Sequence, residues 1–299
     1  MKKITVLISL VVMAAIVLTA CGSQASAPKD LLAQVKQRGY VIVSTDPNYA
    51  PQSSLNTQGK RPSNTKCPSD TLTTAEMQGF DVDVAAEIGK RLGVETCFAT
   101  PSWDLITAGS WADKWDVSVG SMTVTNTRAK VLTFTVPYYY YYAVVAVKKG
   151  SGINTLADLA GKPVCAGTST TYEDWLNGKL DLPAADVFAQ PPANVKEVPL
   201  DTDQECAQSI NSGRTDFLAY VTANTVVDQN IAAGFPVVKL GSPIYRESLA
   251  AAVDKSSSLP IDTFVAALNT IIPAMHSDGT LTKLSMKWYN VDMTQAPTQ

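Results

Sequence analysis

The chain has 299 residues, which is enough for about two domains and a sizeable hydrophobic core. With 45% apolar and 17% charged residues it is not an intrinsically disordered protein, and a net charge of −3 gives no basic surface for nucleic acid. The single histidine, His276, argues against a Ser–His–Asp triad and against a His-rich metal site.

The N-terminus has the pattern of an export signal. Met1–Lys3 is basic, and Ile4–Leu18 is an uncharged apolar run that is short for a transmembrane helix of about 20 residues. The Leu18-Thr19-Ala20-Cys21 that follows resembles the lipobox of bacterial lipoproteins, which implies cleavage before Cys21 and a lipid on its thiol. The alternative is a plain signal peptide with an incidental cysteine. We predict a lipoprotein signal peptide over residues 1–20 and a small, polar, flexible tether over residues 21–29.

Four cysteines remain once Cys21 is set aside. They are Cys67, Cys97, Cys165 and Cys206. An exported protein can form disulfides, and four cysteines allow three pairings. They form no C-x-x-C motif and have no histidine near them, so we predict no metal site.

Strand and helix patterns alternate in the first half of the chain. Tyr40–Ser44 is a β-branched run and is predicted as a strand, whereas Asn48–Gln78 is rich in Pro, Ser and Thr and is predicted as a long loop. Apolar residues recur every four positions from Phe80 to Leu92, which indicates an amphipathic helix. Four more strands are predicted: Val94–Ala99, Trp115–Val119, Val131–Val136, which Pro137 ends, and Ala143–Val147.

The alternation continues in the second half. Thr155 with Asp158 and Thr170 with Glu173 form capping-box patterns that begin helices, and Asp201 is predicted to cap a third helix. A last long helix carries an apolar stripe in which Pro273 is expected to cause a kink or a break. The predicted strands are Pro163–Ala166, Val195–Leu200, Asp216–Val221, Val237–Leu240 and Leu249–Val253.

These patterns predict an α/β protein with mostly parallel sheets. Two sets of strand–helix units, joined at Ala143–Val147 and again near Leu240–Val253, indicate two lobes connected by two crossovers. In such folds ligands bind at the carboxyl ends of strands and at helix N-termini.

Eight short motifs follow one another in order across residues 35–291. They are Gly79-Phe80-Asp81-Val82-Asp83-Val84-Ala85, Trp103-Asp104-Leu105-Ile106, Asp116-Val117-Ser118-Val119-Gly120-Ser121-Met122-Thr123-Val124-Thr125-Asn126-Thr127-Arg128, Phe134-Thr135-Val136-Pro137-Tyr138-Tyr139, Asp158-Leu159-Ala160-Gly161-Lys162, Ser212-Gly213-Arg214-Thr215-Asp216, Met275-His276-Ser277-Asp278-Gly279-Thr280-Leu281 and Lys287-Trp288-Tyr289. The ordered set resembles the type II periplasmic solute-binding proteins of ABC importers, in the polar amino-acid-binding branch, solute-binding protein family 3.

The resemblance implies two α/β lobes that close over a ligand like a clamshell, with two hinge crossover strands. Lobe 1 would comprise residues 30–142 and 246–299, and lobe 2 residues 143–245. The pairings Cys67–Cys97 and Cys165–Cys206 then place one disulfide in each lobe, whereas a disulfide between the lobes would block the hinge.

The function implied by the resemblance is solute capture. A monomer would bind a small carboxylate-bearing solute, an amino acid or an analogue, and deliver it to an ABC permease. The lipid on Cys21 would hold the exported protein at the outer face of the cytoplasmic membrane or in the periplasm.

The resemblance also implies a set of ligand contacts. Arg128 follows a strand at the start of a short helix, where Thr125 is placed to cap it, and its family counterpart holds the α-carboxylate of the ligand. The other implied contacts are strand-end residues around the head group, a helix start that touches the carboxylate, and aromatic platforms for the side chain. They are Gly120, Ser121 and Thr123, then Thr170 and Thr171, then Tyr49 and Trp103. A plain capping box explains Thr170 equally well, and core packing is the alternative for the aromatic residues.

One position departs from the family. An aspartate usually ends the strand after the Ser-Gly-Arg motif and pairs with the α-ammonium of the ligand, and here that position is Val221, next to Tyr220. An unpaired ammonium is costly to bury. Either another carboxylate replaces the aspartate, or the ligand is not a standard α-amino acid. The candidate replacements are Asp46, Asp104 and Glu173, and the predicted ligand contacts include Asp46, Tyr220 and Val221.

Two other functions fit the same scaffold. A dehydratase of prephenate-like acids would need a buried carboxylic acid in the cleft, for which Glu173 is the candidate, and a ligand-sensing module would act through a partner. The sequence contains no P-loop, G-x-S-x-G or G-x-G-x-x-G motif. We therefore predict a binding protein without a cofactor and not an enzyme.

Overall fold

The structure is a computed structural model that describes residues 27–296. The predicted signal peptide, the lipid attachment at Cys21 and most of the predicted tether lie outside these residues. Within residues 27–296, no helix combines the length and the hydropathy of a membrane span. We call residues 30–142 with 246–296 lobe 1 and residues 143–245 lobe 2, after the boundaries expected from the sequence.

The first part of lobe 1, residues 30–130, contains most of its strands and helices. Its elements are α1 (Leu31–Arg38), β1 (Tyr40–Ser44), β2 (Asn48–Tyr49), β3 (Ser53–Leu55), β4 (Leu72–Thr73), β5 (Met77–Gln78), α2 (Phe80–Leu92), β6 (Glu95–Ala99), α3 (Trp103–Thr107), β7 (Val117–Thr123) and a 3-10 helix (Arg128–Lys130). The segment Asn48–Gln78, predicted as a loop throughout, contains the small antiparallel sheet β2-β3-β5. The strand predicted over Trp115–Val119 begins two residues later, at Val117. Trp115 precedes it, because its side chain packs into a cluster with Trp111.

Lobe 2 is entered through one long strand and left through another. Its elements follow β8 (Leu132–Lys148) and are a 3-10 helix (Leu156–Leu159), β9 (Pro163–Gly167), α4 (Thr171–Leu176), a 3-10 helix (Ala184–Asp186), β10 (Lys196–Leu200), α5 (Asp203–Asn211), β11 (Ala219–Ala223), α6 (Asn224–Ala232) and β12 (Val237–Lys239). The chain then returns through β13 (Tyr245–Asp254) to α7 (Asp262–Ser277) and α8 (Thr280–Tyr289).

The larger sheet of the described residues joins both lobes. Its strand order is β10-β9-β11-β8-β13-β7-β1-β6-β4, and β12 pairs with β8. In lobe 1 strand β1 is parallel to β6 and β7, in lobe 2 strand β9 is parallel to β10 and β11, and the two crossover strands β8 and β13 are antiparallel to each other. Parallel strands end at the same edge of a sheet, so the loops after β1 and β7, and those after β9 and β10, meet between the lobes.

Strand β8 runs without interruption through Pro137, so the prediction of two strands separated by that proline is wrong. Pro137 pairs with Ala250 of β13 at a place where the register shifts. A bulge of this kind tolerates a residue that has no N–H to donate to the ladder. The five tyrosines Tyr138–Tyr142 therefore lie inside a crossover strand, and Tyr138, Tyr139 and Tyr141 are fully buried.

Helix α7 also continues through its proline, so the predicted break at Pro273 is absent. Phe264 and Leu268 before the proline and Ile272 and Met275 around it are all buried in the core of lobe 1. Tertiary packing on both sides stabilises the helix more than one lost backbone hydrogen bond weakens it.

Helix caps and disulfides follow the sequence closely. The capping box of Thr155 and Asp158 is confirmed, whereas the cap of α5 is Thr202 instead of Asp201, because its hydroxyl accepts a bond of 3.2 Å from the N–H of Glu205. The two disulfides have the predicted pairing, Cys67–Cys97 in lobe 1 and Cys165–Cys206 in lobe 2.

Candidate ligand-binding cleft

A cleft of about 430 Å³, counted together with the open solvent space at its mouth, lies between the two lobes, and we refer to it as the cavity. Nine of the eleven predicted ligand contacts line it: Asp46, Tyr49, Trp103, Gly120, Ser121, Thr123, Arg128, Thr170 and Thr171. The other two predicted contacts, Tyr220 and Val221, do not reach the cavity. Strand β11 is covered on both faces, so Val221 packs into one apolar cluster of lobe 2 and Tyr220 into another.

Arg128 is the buried cation of the cleft, with 7% of its surface exposed. The N–H of Arg128 donates to the hydroxyl of Thr125 at 3.1 Å, which is the cap expected from the sequence. Its guanidinium donates to the carbonyl of Thr123 at 3.2 Å in lobe 1 and to that of Ser169 at 3.0 Å in lobe 2. Burial lowers the pKa of Arg128, but a guanidinium stays charged in proteins. A charged, forked donor therefore joins the two lobes at the cavity wall.

Glu247 on β13 is a carboxylate of the cleft that the sequence did not reveal. It is fully buried, and its Oε1 accepts hydrogen bonds from Thr123 at 2.5 Å and from Thr171 at 2.7 Å. Those two hydroxyls come from different lobes, so Glu247 connects both lobes to the crossover strand. Burial raises the pKa of Glu247, and the charge of Arg128 opposes this rise.

Three tyrosine hydroxyls meet at the back of the cleft. The Tyr49 hydroxyl lies 3.0 Å from that of Tyr141 and 2.9 Å from that of Tyr172, and the last two are 3.2 Å apart. The Tyr172 hydroxyl also donates to Glu247 Oε2 at 3.3 Å. Burial raises the pKa of each tyrosine well above its usual value, so all three remain neutral donors. The ring of Tyr49 forms part of the wall, as an aromatic platform would.

Trp103 and the helix start of α4 complete the walls. The guanidinium carbon of Arg128 lies 5.6 Å from the centroid of a Trp103 ring, a cation–π distance that fixes the arginine. Thr170 has its predicted capping role, accepting from the N–H of Glu173 at 3.1 Å. Glu173 in turn accepts from the N–H of Ser169 and does not line the cavity, so it does not replace the missing aspartate.

Two aspartates, Asp203 and Asp46, also line the cavity. Asp203, the first residue of α5, is 3% exposed and accepts a hydrogen bond from Thr222, the neighbour of Val221. Burial, with a contribution from the nearby charges of Asp46 and Glu247, raises the pKa of Asp203 to about 7. Asp46 follows β1 and accepts from the N–H of Asn48 at 2.7 Å. Asp104, another candidate replacement, does not line the cavity.

Ser121 is held by a buried network behind the cleft. Its φ of 56° is in the left-handed region, which is uncommon for a residue other than glycine. Its hydroxyl donates to Asp81 Oδ2 at 2.5 Å, and its N–H donates to the Tyr138 hydroxyl at 3.0 Å. Tyr138 donates to the other oxygen of Asp81 at 2.7 Å. Asp81 therefore fixes Ser121 without touching the cavity.

This network makes a prediction about stability and pH. Burial raises the pKa of Asp81 to about 7 from about 3.8, so the folded protein holds a proton that the unfolded chain releases. The stability due to this carboxyl is full below pH ~4 and is lost as the pH rises to ~7. Between pH 5 and pH 8 we expect the wild type to lose about 2 kcal/mol of unfolding free energy relative to Asp81→Asn, measured by urea denaturation. An equal difference between the two proteins at both pH values would contradict this.

Five lining residues were not predicted from the sequence: Tyr172, Asp201, Thr202, Asp203 and Glu247. Tyr141 belongs to the tyrosine run 138–142, of which the sequence led us to expect one or two members in the cleft. The sequence does contain a sign of Glu247, because it is a charged residue shortly before an apolar run. It was not recognised, because the predicted strand began only at Leu249. The described residues contain no group of three or more His, Cys, Asp or Glu that is arranged to hold a metal ion.

Comparisons with known proteins agree with this architecture. The family model for bacterial extracellular solute-binding proteins, family 3, matches residues 41–291. The L-cystine-binding protein TcyJ of Escherichia coli (strain K12) is 28% identical over 95% of this chain and 95% of its own length. ABC transporter arginine-binding protein 1 of the same organism is 30% identical over 72% of this chain and 82% of its own length.

Solved structures show the same fold. An ancestral arginine-binding protein bound to arginine is 28% identical with a TM-score of 0.67, covering 84% of this chain and 98% of that chain. The ancestral amino acid-binding protein AncCDT-1, a precursor of cyclohexadienyl dehydratase, is 27% identical with a TM-score of 0.69, covering 86% and 99%. The fold is that of the α/β periplasmic binding proteins of type II. These relatives are named as binding proteins, and the family model that the chain matches is one of solute-binding proteins. By its match over most of its length, the chain belongs to the bacterial extracellular solute-binding proteins of family 3.

Proposed function

We propose that this protein is a lipid-anchored, extracytoplasmic binding protein that captures an amino acid between its lobes and delivers it to an ABC permease. The observation that carries the proposal is the position of Arg128, a buried guanidinium that bonds carbonyl groups of both lobes at the cavity wall. A carboxylate bound there would contact both lobes at once, so that binding stabilises the closed arrangement.

The ammonium group of an amino acid also finds partners in this cavity. Glu247, Asp203 and Asp46 all line it, and a buried carboxylate is stabilised by an adjacent cation. Relatives named for binding cystine, arginine and histidine support the choice of an amino acid, and one of them is named as part of an ABC transporter.

The anchor and the delivery step rest on the sequence and the family. The Leu18-Thr19-Ala20-Cys21 motif supports lipid attachment at Cys21, and residues 21–29 would then give the folded lobes reach from the membrane surface. A monomer is sufficient for this role, because both walls of the cavity come from one chain.

A melting-temperature screen tests this function. The protein is expressed with its own N-terminal segment, purified in detergent from the membrane fraction, and mixed with each of the twenty amino acids and with cystine. We expect at least one of them to raise the melting temperature by several degrees, because a ligand that binds only the folded state stabilises it. If none of them changes the melting temperature, the amino-acid function is wrong, and recovery only in the soluble fraction would contradict the anchor.

A further inference from the structure

One segment of lobe 2, residues 178–191, contacts lobe 1 outside the cavity, and we call it the strap. Its later half is attached beside the crossover strand β13. The N–H of Phe188 donates to the carbonyl of Ile244 at 2.9 Å, and Asp186 accepts a hydrogen bond of 2.9 Å from Nε of Arg246. The strap is therefore fixed next to the strand through which the chain returns from lobe 2 to lobe 1.

The first half of the strap reaches lobe 1 through one carboxylate. Oδ1 of Asp181 accepts a hydrogen bond from the side-chain amide of Asn126 at 2.9 Å, and Oδ2 accepts from the N–H and the hydroxyl of Thr127 at 2.9 and 3.1 Å. The bond from Asn126 and those from Thr127 lower the pKa of Asp181, so its carboxylate is charged at neutral pH and the bonds are charge-assisted. Among residues 27–296, every hydrogen bond that this carboxylate accepts comes from lobe 1.

The residues that Asp181 holds belong to the turn that carries Arg128. In lobe 1 the hydroxyl of Thr125 accepts from the N–H of Arg128 at 3.1 Å, whereas the N–H of the preceding residue, Thr127, donates to lobe 2. Lobe 2 also accepts from the guanidinium of Arg128, through the carbonyl of Ser169 at 3.0 Å. Lobe 2 thus holds the turn at its backbone and at its side chain, and the group that holds the backbone, Asp181, does not line the cavity.

We propose that Asp181 is a positioning residue of the binding site, which acts through Arg128. When the lobes close, its carboxylate fixes the turn of residues 125–128 from the opposite lobe and keeps the guanidinium directed at the bound carboxylate. This inference rests on the proposed function and adds to it a residue that the amino acid does not touch. Because the donors and the acceptor belong to different lobes, these hydrogen bonds form only in the closed arrangement, and their loss should speed the release of a bound amino acid.

The rates of binding and release test this role. The probe is whichever of the twenty amino acids and L-cystine gives the largest shift in the melting screen, and stopped-flow fluorescence follows it through Trp103 in the cavity wall. Asp181→Ala should speed release about fivefold to fiftyfold, because three hydrogen bonds to a charged acceptor are lost, and should leave the association rate within about threefold. Asp181→Asn keeps an acceptor oxygen but loses the charge, so its release rate should lie between those of Asp181→Ala and the wild type. Unchanged release in Asp181→Ala would overturn the proposal.

A double-mutant cycle tests the contact between the strap and the turn. Asn126→Ala alone should speed release about threefold, since it removes one of the three hydrogen bonds. In the Asp181→Ala background the same substitution should change the rate by less than about twofold, because the acceptor is already absent. If the effects of the two substitutions multiply in full, the two side chains act independently and the proposal is wrong.

Two further measurements separate this role from a role in folding. Asp228→Ala removes a carboxylate of lobe 2 that is 60% exposed and pairs with Lys239, and as the matched control it should leave both rates unchanged. Without added amino acid, Asp181→Ala should melt within about 2 °C of the wild type, because within the described residues its carboxylate bonds only the other lobe. A lower melting temperature together with slower association would identify a folding defect and overturn the positioning role.

The proposed function and this inference fail in different ways. If no amino acid of the melting screen binds the wild type, the proposed function is wrong and the inference falls with it. If one of them binds and Asp181→Ala releases it at the wild-type rate, the protein remains an amino-acid-binding protein, and only the role of Asp181 is overturned.

Discussion

Replacing Arg128 with alanine should abolish ligand-induced stabilisation and lower the affinity for the amino acid found in the screen at least 100-fold. A guanidinium that binds a carboxylate forms two charge-assisted hydrogen bonds, which contribute about 1.5–3 kcal/mol each. The loss of both weakens binding by at least about 3 kcal/mol. Calorimetry measures this affinity, and thermal denaturation without ligand separates it from any loss of the contacts to Thr123 and Ser169.

Two further variants make this prediction specific. Arg128→Lys keeps the charge but loses the fork, so it should retain more affinity than the alanine variant and less than the wild type. Arg214→Ala removes an exposed arginine of lobe 2 that pairs with Asp216, and it should leave binding unchanged. Full ligand-induced stabilisation of Arg128→Ala would remove Arg128 from the binding site.

Removing the disulfide of lobe 2 should lower the free energy of unfolding by about 3–4 kcal/mol. In the chain-entropy account a disulfide restricts the unfolded chain, and here it links residues 41 positions apart. Both cysteines are fully buried, with Cys165 on β9 and Cys206 on the helix α5 that packs against it. The double variant Cys165→Ala with Cys206→Ala, compared with the wild type in urea denaturation, measures the effect.

The disulfide of lobe 1 provides a matched comparison. Cys67 and Cys97 are 30 positions apart, so the corresponding double variant should lose a similar, slightly smaller amount. Neither disulfide lines the cavity, and both variants should therefore bind the ligand with wild-type affinity while they remain folded. A loss below about 1 kcal/mol in the lobe 2 variant would contradict a stabilising role for that disulfide.

Local patterns predicted much of the fold and errors arose where distant segments pack together. The period of four in α2 and the capping box at Thr155 depend on neighbouring residues, so they could be recognised in the sequence. Pro137 was expected to end its strand and Pro273 to kink or break its helix. Instead, β8 continues through Pro137 by pairing with β13, and α7 continues through Pro273 by packing in the core of lobe 1. Long-range contacts of this kind override local propensity.

The binding residues divide in the same way. Arg128, Thr123 and Thr171 follow strands or begin helices in recognisable motifs, and the structure places all three at the cavity. Val221 was placed in the cleft by its sequence position, but β11 is covered on both faces and turns it into the core.

The sequence alone determined the alternation of strands and helices and the residues at strand ends and helix starts, because each of these depends on near neighbours in the chain. The export signal stays a prediction from the sequence. The tertiary structure decided which carboxylates line the cavity together with Arg128. Glu247 lies more than one hundred residues from Arg128, and Asp203 is the first residue of a different helix. They converge because β13 crosses back between the lobes and because α5 begins at the edge of the sheet that borders the cleft. The charge pattern of the cavity is a property of that convergence and of no single segment.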